Sequence, residues 1–424
     1  MIKIIDFDKA DLNELFIRSN DNPGVEKAVT EIIQNVRKNG DAALKEYEER
    51  FDKAKLDVLE VTSKEIEEAK SKTDQAFLKV LKNASRNIYA FHQKQVRQSF
   101  IQNETKGVVC GQKIIPIEKV GLYIPGGTAA LSSSVLMNCI PAKIAGCACI
   151  CMVTPPRPDG KINPDILAAA DIAGVDRIFK VGGAQAIAAL AYGTESIPAV
   201  DKIVGPGNAY VAEAKKQVYG KVAIDMIAGP SEILVVADNT NNPAYVAADM
   251  LSQAEHDKLA TAVLVTDDAD FAAAVSVSIE EQLETLPRKE IARASIDHNG
   301  KIVIAQNLDQ AFEVANLLAP EHLEICTDNP FDDLDKVKNA GSVFLGKNCP
   351  EALGDYCTGP NHTLPTSGSA KFSSPLSVDD FVKKTQYTYF TAEALAALAD
   401  DVEIFAEREG LSGHARSVRI RSKS

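Results

Sequence analysis

The spacing of hydrophobic positions changes near residue 115 and divides the chain into two parts. Before that point, apolar residues recur every three to four positions in segments such as VEKAVTEIIQNVRKN, which Gly40 ends, and DQAFLKVLKNASRNIYAFHQKQV. This period is typical of amphipathic helices, so we predict a helical N-terminal region. We interpret His92, which lies among polar residues of the second segment, as a surface residue.

After residue 115, short apolar runs alternate with helical segments, and glycine or proline stands at many of the junctions. The runs VGLYIP, ACICMVTPP and SEILVVAD predict strands, whereas PDILAAADIAG and AQAIAALAYG predict helices. A second block repeats the alternation from NPAYVAADMLSQAEHD to SVFLG. Such alternation predicts an α/β fold with parallel sheets.

Two later segments depart from this alternation. The glycine-rich stretch GDYCTGPNHTLPTSGSA has little periodicity, and loops of this kind in α/β proteins usually carry function. The final segment, from about Val378, holds a short strand pattern, one helix and a polar end. It is too small to hold its own core, so we expect it to pack on the rest of the chain or on another subunit.

Composition and charge narrow the class of protein. The chain has 424 residues, enough for two or three domains, and its net charge is -13. This acidity argues against nucleic acid or an anionic membrane as the main partner. The opening MIKIIDFDKADLNE lacks the apolar segment of a signal peptide, and no apolar run has the length of a membrane span. We therefore expect a cytoplasmic protein.

Three of the eight cysteines alternate along one predicted strand, at Cys147, Cys149 and Cys151. In a cytoplasmic protein we expect them to stay reduced. Alternate residues of a strand lie about 6.6 Å apart, whereas thiolates on one zinc ion lie roughly 3.8 Å apart. We therefore interpret these cysteines as small buried core residues rather than as zinc ligands.

Candidate chemistry lies in the second half of the chain, beginning with SQAEHD. Gln253 shares a helical face with both His256, three positions on, and Asp257, four positions on. Spacing alone leaves two ligand pairs open, Gln253 with His256 and Gln253 with Asp257.

Further candidates lie in PEHL, in the glycine-rich stretch and near the C-terminus. Adjacent side chains of a strand face opposite sides, so Glu321 and His322 would serve one site only at an irregular strand start. Together they would offer two proton carriers, although a polar strand entry explains this stretch equally well. The glycine-rich stretch supplies Asp355 and His362, and GHARS supplies His414. Spacing cannot show that the fold gathers these residues.

At these residues the sequence closely resembles the histidinol dehydrogenase family. The resemblance rests on segments in family order over roughly residues 115 to 415, namely VGLYIPGGTA, VGGAQAIAALAYGTESIP, KIVGPGNAYVAEAKK, AGPSEILVVAD, LSQAEHD, APEHLEI, GDYCTGPNHTLPT and EGLSGH. It implies four-electron oxidation of L-histidinol to L-histidine through L-histidinaldehyde, with two NAD molecules. This reaction is the last step of histidine biosynthesis.

The resemblance also implies roles for individual residues. One zinc ion per subunit would be bound by Gln253, His256, Asp355 and His414. The acid/base pair would be Glu321 and His322. Besides the zinc ligands and His322, substrate would contact Ser231, His362 and Glu409. NAD would contact Tyr123, Gln185 and Asn208. No G-x-G-x-x-G fingerprint is present, and the junctions GPGNAY and GGAQA have another spacing, so NAD binding rests on the resemblance.

The implied fold is α/β, with two Rossmann-like parallel-sheet domains, a helical N-terminal segment and a small C-terminal dimerisation segment. We predict an N-terminal arm at 1–18, a first domain with the zinc site at 19–121 together with 232–376, a second domain at 122–231, and the dimerisation segment at 377–424. An intertwined homodimer would take Glu409 and His414 from the partner subunit.

Two other functions compete with this interpretation. A zinc hydrolase would use the same ligands, with Glu321 activating water. It would leave the small-residue junctions at Gly126-Gly127 and Gly205-Pro206-Gly207 without an explanation. A catalytically idle ligand-binding relative is disfavoured because Glu321, His322 and all four implied ligands are present.

Overall fold

The computed structural model describes residues 1–9, 23–126 and 131–422. Gly127 and the second half of the predicted N-terminal arm, residues 10–18, lie outside these ranges. The strands are β1 Lys3–Asp6, β2 Phe100–Gln102, β3 Val108–Pro116, β4 Lys119–Tyr123, β5 Cys149–Thr154, β6 Arg177–Lys180, β7 Lys202–Val204, β8 Ala223–Ile224, β9 Glu232–Ala237, β10 Thr261–Thr266, β11 Lys301–Ile304, β12 His322–Cys326, β13 Ser342–Leu345 and β14 Val382–Phe390.

The helices of the described ranges follow the predicted alternation. They are α1 Pro23–Tyr47, α2 Ser63–Lys72, α3 Gln75–His92, α4 Ser132–Ala145, α5 Pro164–Ala173, α6 Gly183–Tyr192, α7 Ala209–Val218, α8 Pro243–Ala254, α9 Ala269–Leu283, α10 Lys289–His298, α11 Leu308–Leu318, α12 Pro330–Asp333, α13 Glu351–Tyr356, α14 Ala392–Arg408 and α15 Ser412–Ser422. Gly40 kinks α1 with a φ of 52°, where the sequence predicts a helix end.

Two parallel sheets confirm the predicted α/β fold. The larger has the order β1-β11-β10-β9-β12-β13, and the smaller has the order β6-β5-β4-β7-β8. Apolar clusters cover both faces of the larger sheet, which explains why strands such as β9 are buried along their whole length.

The N-terminal helices pack on the smaller sheet. Val29, Val36 and Leu44 of α1 belong to the same buried cluster as Phe179 of β6 and Ile203 of β7. This packing differs from the predicted boundaries, which group residues 19–121 with 232–376. The difference arises because the apolar stripe of a helix shows that it is covered, but not by which sheet.

A second compact unit consists of residues 96–117 and 382–424, and the remaining residues up to Phe381 form the first. In the second unit, β3 pairs antiparallel with both β14 and β2. The helices α14 and α15 complete it. Residues 96–117 thus lie in the same compact unit as most of the predicted segment 377–424, because all nine residues of β14 pair with β3.

Within the described residues, no helix combines the length and apolar character needed to cross a bilayer.

Substitution of Leu323 tests the packing of the larger sheet. Its side chain, in β12, is fully buried in the apolar cluster that covers one face of that sheet. We expect Leu323→Ala to lower the free energy of unfolding by about 2–5 kcal/mol, from lost burial and a residual cavity. Urea unfolding measures the change. The matched control is Leu317→Ala, because Leu317 is 45% exposed on α11, and it should change stability by no more than about 0.5 kcal/mol. Equal losses for the two variants would contradict the packing.

Candidate active site

The candidate site lies at the amino-terminal edge of the larger sheet, where β9 begins at Glu232 and β12 begins at His322. Glu321 precedes the first residue of β12, outside the regular alternation of the strand. The preceding helix ends at Ala319, a non-glycine residue with a φ of 48°. This tight exit lets two adjacent side chains, Glu321 and His322, serve one site.

Backbone atoms of Glu232 hold both members of this pair. The Glu232 N–H donates to Oε2 of Glu321 at 2.9 Å, and Nδ1 of His322 lies 3.0 Å from the Glu232 carbonyl oxygen. A carbonyl only accepts, so Nδ1 carries the proton in the neutral ring and Nε2 is the acceptor. Nε2 is buried and has no hydrogen-bond partner among the described residues. It faces Asp355, whose Oδ1 lies 3.6 Å away.

Three residues can hold a metal ion. The ligand atoms of His322, Glu351 and Asp355 all lie within 4.8 Å of one another. Glu351 and Asp355 are four positions apart on the short helix α13, so they present their carboxyls on one face. The Glu351 N–H donates to Oε1 of Glu324 at 2.8 Å, which anchors the start of that helix.

Gln253, in the last turn of α8, is fully buried against Glu351. With its amide nitrogen toward Glu351, it donates to the two carboxylate oxygens at 2.8 and 2.9 Å, and its oxygen accepts from the Glu232 N–H at 3.2 Å. In the opposite orientation the amide oxygen faces the carboxylate. That arrangement is favourable only with a cation or a shared proton between the two oxygens.

Other predicted residues surround this cluster. His256 lies in the turn after α8, where its N–H donates to the Gln253 carbonyl at 3.1 Å. His362 is half-buried, with Nδ1 2.9 Å from the Asp355 carbonyl and Nε2 3.2 Å from Oγ of Ser134. Ser231 directly precedes β9, and its carbonyl accepts from the Thr261 N–H at 2.9 Å.

Negative charge accumulates in the cluster. Burial raises the pKa of Glu321 to about 8 and that of Glu351 to about 7. Burial opposes protonation of His322, but the charges of Glu321, Asp355 and Glu351 outweigh it and raise the pKa of the ring to about 10. Burial also opposes ionisation of Asp355, yet His322, His362 and His256 hold its pKa below the ordinary value. A cation bound here would balance these carboxyls.

The residues implied for NAD lie at the carboxyl-terminal edge of the smaller sheet. Tyr123 ends β4, Gln185 lies in the first turn of α6, and Asn208 caps α7 by accepting from two backbone N–H groups. The strand order reverses between β4 and β7, which is where open α/β sheets bind ligands. Gly205, with a φ of +116°, follows β7 at this point.

Glu409 and His414 belong to the second compact unit. Glu409 caps the end of α14, and His414 lies in the first turn of α15, where its N–H donates to the Leu411 carbonyl at 2.9 Å. Both side chains are exposed in the single chain. The cluster described above therefore comes from the first unit alone.

Comparison with known proteins identifies the family. The family model described as histidinol dehydrogenase matches residues 17–422. The chain belongs to the histidinol dehydrogenase family. It is 55% identical to histidinol dehydrogenase of Clostridium acetobutylicum over 406 residues, covering 96% of this chain and 94% of that one. For the Bacillus cereus relative the identity is 56%, over 94% and 92% of the two chains.

A solved structure of the family has the same fold. The crystal structure of histidinol dehydrogenase from Elizabethkingia anophelis superimposes with a TM-score of 0.93 at 40% identity, and the match covers 100% of this chain and 98% of that chain. The family resemblance seen in the sequence is thus confirmed.

Glu351 is the member of the cluster that the sequence reasoning missed. The sequence feature that could have identified Glu351 is its spacing of four residues from Asp355, in a segment that forms one short helix. That segment borders the glycine-rich stretch, whose irregular pattern concealed the helix.

One interpretation and one spacing expected from the sequence need correction. His92 is buried, with Nδ1 2.7 Å from Gln95 and Nε2 3.4 Å from Asn361, because a distant loop covers the end of α3. Cys147 and Cys151 are buried core residues, as expected, but the sulfurs of Cys149 and Cys151 lie 3.7 Å apart, closer than strand spacing suggested. Cys147 Sγ instead faces the Phe381 carbonyl at 3.8 Å.

Substitution of Gly205 tests the packing at the carboxyl-terminal edge of the smaller sheet. A Cβ at this position would lie 2.1 Å from the Tyr123 carbonyl oxygen. We expect Gly205→Ala to lower the melting temperature through both this clash and backbone strain of about 1–3 kcal/mol. Gly220→Ala is the matched control, because Gly220 also has positive φ, +96°, but no atom within 4 Å of the added Cβ. Differential scanning calorimetry should show the larger loss for Gly205→Ala, and equal losses would contradict the close approach of β4 and β7.

Proposed function

We propose that this protein oxidises L-histidinol to L-histidine through L-histidinaldehyde, the last step of histidine biosynthesis, using two NAD molecules and one zinc ion per subunit. The observation that carries the proposal is the buried cluster around His322 in a member of the histidinol dehydrogenase family. Its groups match the needs of the reaction, since two oxidations require a proton acceptor for an alcohol and then for a hydrated aldehyde.

His322 is the proposed general base of both oxidations. Its Nδ1–H is fixed on the Glu232 carbonyl, and a bound cation would offset the carboxyls that favour protonation of the ring, which leaves Nε2 to accept a proton. In the first oxidation it takes the proton of the alcohol as hydride leaves the carbon, and NAD accepts the hydride in each oxidation. In the second it takes the proton of the aldehyde hydrate.

Glu321 is the proposed base that activates water between the two oxidations. Its Oε2 lies 3.6 Å from Nδ1 of His322, so the two groups are direct neighbours in the cluster. The raised pKa of Glu321 makes its ionised form a stronger proton acceptor than an ordinary carboxylate.

The donor set of the site fits zinc, which takes nitrogen and oxygen ligands. The proposed ligands are Gln253, His256 and Asp355, with His414 of the partner subunit. The surplus of carboxyls around His322 supports a cation at this position. The bound metal would balance these charges and orient the amino and imidazole nitrogens of the substrate. Glu351, against the Gln253 amide, is then a residue that orients a ligand.

NAD is proposed to bind at the carboxyl-terminal edge of the smaller sheet, in contact with Tyr123, Gln185 and Asn208. Helices α6 and α7 begin there, and helix N-termini favour a pyrophosphate. Ser134, in the helix that follows β4, lies 3.2 Å from His362. This contact supports a path between the NAD residues and the cluster, with His362 and Ser231 contacting substrate.

A homodimer with shared sites completes the proposal, since Glu409 of the partner subunit would also contact substrate. We also propose a cytoplasmic location and no nucleic-acid or membrane partner. The net charge of -13 supports the absence of such partners.

Stoichiometry is the first test. Purified protein with L-histidinol and NAD should yield two NADH for each L-histidine, because each oxidation releases one hydride. Absorbance measures NADH and chromatography measures histidine. A yield of NADH near zero would overturn the proposal, and release of a hydrolysis product from an amide of histidine would favour a zinc hydrolase instead.

Metal analysis separates ligands from orienting residues. We expect His256→Asn to abolish zinc binding, and Glu351→Gln to weaken it by about 10–100-fold while zinc still binds at high concentration. Competition with a chromogenic chelator measures both affinities. His298→Asn is the control, because His298 ends α10 with its ring on the Ala294 carbonyl. Full zinc content in His256→Asn would contradict the ligand set.

Glu321→Gln separates the two oxidations. The amide oxygen can still accept from the Glu232 N–H, but an amide cannot take a proton from water. We expect the variant to keep zinc and to form histidinaldehyde with one NADH, while histidine formation falls by about 100-fold or more. A trapping reagent for aldehydes and single-turnover NADH measurement detect the difference. Equal losses in both steps would refute the assignment of Glu321 to water.

A further inference from the structure

A buried carboxyl group lies directly behind the residues proposed to contact NAD. After α1 the chain makes a single π turn, Glu48–Asp52, and the Glu48 side chain in this turn is fully buried. Turns of this type are rare and recur at functional sites. The position is unusual for a carboxyl group, because burial of a charge without a counter-charge is costly.

One oxygen of Glu48 accepts two hydrogen bonds from the start of α6. Its Oε1 accepts from the Gly182 N–H at 3.1 Å and from Nε2 of Gln185 at 3.0 Å. The next backbone N–H, of Gly183, donates to the Tyr123 hydroxyl at 3.1 Å. Glu48 therefore fixes the first turn of α6 and the orientation of Gln185, and the same turn holds Tyr123.

The other oxygen, Oε2, is buried without a hydrogen-bond donor among the described residues. The charged group that acts on it is Asp52, four positions later in the chain and half-buried. A buried carboxyl oxygen without a donor favours the protonated, neutral form of the group, and a second carboxylate nearby favours that form further.

We propose that Glu48 is a positioning residue for the dinucleotide, that its buried carboxyl carries a proton, and that loss of this proton weakens dinucleotide binding. This inference rests on the proposed function, because it takes Tyr123 and Gln185 as part of the NAD site. With the proton present, the pair carries one negative charge. Without it, the pair carries two, next to the place where an anionic pyrophosphate binds.

The pH at which this change occurs follows from the surroundings of Glu48. Burial, and then the charge of Asp52, raise the pKa of Glu48 to about 8. From β4, Tyr123 faces the pair, and burial raises the pKa of its hydroxyl to about 12, so it stays neutral. From α6, Gln185 and the Gly182 N–H are uncharged. Because the raised pKa favours the protonated form, binding is strong below about pH 8 and weakens above it.

Direct binding of NADH to the zinc-loaded protein tests the inference, since the chain has no tryptophan to interfere with NADH fluorescence. If one proton is required, the wild-type dissociation constant rises by up to about tenfold between about pH 7 and pH 9. Glu48→Gln keeps an acceptor for Gly182 and Gln185 and has no proton to lose. Its dissociation constant should change by less than about twofold over the same range.

Glu48→Ala and Glu49→Gln complete the experiment. Glu48→Ala leaves both N–H donors without their acceptor, so it should weaken NADH binding alike at both pH values. Glu49→Gln removes a neighbouring exposed carboxyl and should keep the wild-type pH slope. Thermal unfolding establishes whether each variant is folded. If Glu48→Ala does not fold, the result for Glu48→Gln decides the test.

Two results would overturn the inference. A Glu48→Gln variant with the wild-type pH slope would exclude the proton on Glu48, and a folded Glu48→Ala variant with wild-type affinity would exclude the positioning role. Either result leaves the proposed function intact when histidinol oxidation still yields two NADH. Absence of NADH binding by the wild type at both pH values would overturn the inference and the NAD assignment together.

Discussion

The candidate active site depends on one buried imidazole held between a backbone carbonyl and several carboxyl groups. The Glu232 carbonyl fixes the tautomer of His322, and the Glu232 N–H fixes Glu321 beside it. Parallel pairing of β9 with β12 brings these atoms together, so the proton chemistry is tied to the register of the larger sheet. The surplus of carboxyls around the ring in turn requires a positive charge, from either a proton or a cation.

The helix ends beside the two candidate sites carry opposite partial charges. Helix α8 ends beside the amino-terminal edge of the larger sheet, and the negative end of a helix dipole favours a cation. Helices α6 and α7 begin at the carboxyl-terminal edge of the smaller sheet, where the positive ends favour an anion. The proposed metal site at the first edge and the proposed dinucleotide site at the second follow the same physical rule.

Individual residues show how far sequence reasoning reaches. Hydrophobic spacing correctly predicted strands such as β4, β5 and β9, because a parallel strand buried on both faces must be apolar along its length. Glu351 escaped notice because its helical partner Asp355 lies in a stretch without a hydrophobic period. The prediction that His92 lies at the surface was wrong, because its contact with Asn361 joins residues far apart in the chain.

The sequence by itself determined the α/β class and the family, because hydrophobic period and contiguous motifs are local properties of the chain. It left two pairs open at SQAEHD. Only the tertiary structure placed Glu351 against Gln253 and Asp355 near His322, and placed Glu48 behind Gln185. These neighbours come from different elements, and their contacts depend on strand order and helix packing, which no local pattern encodes.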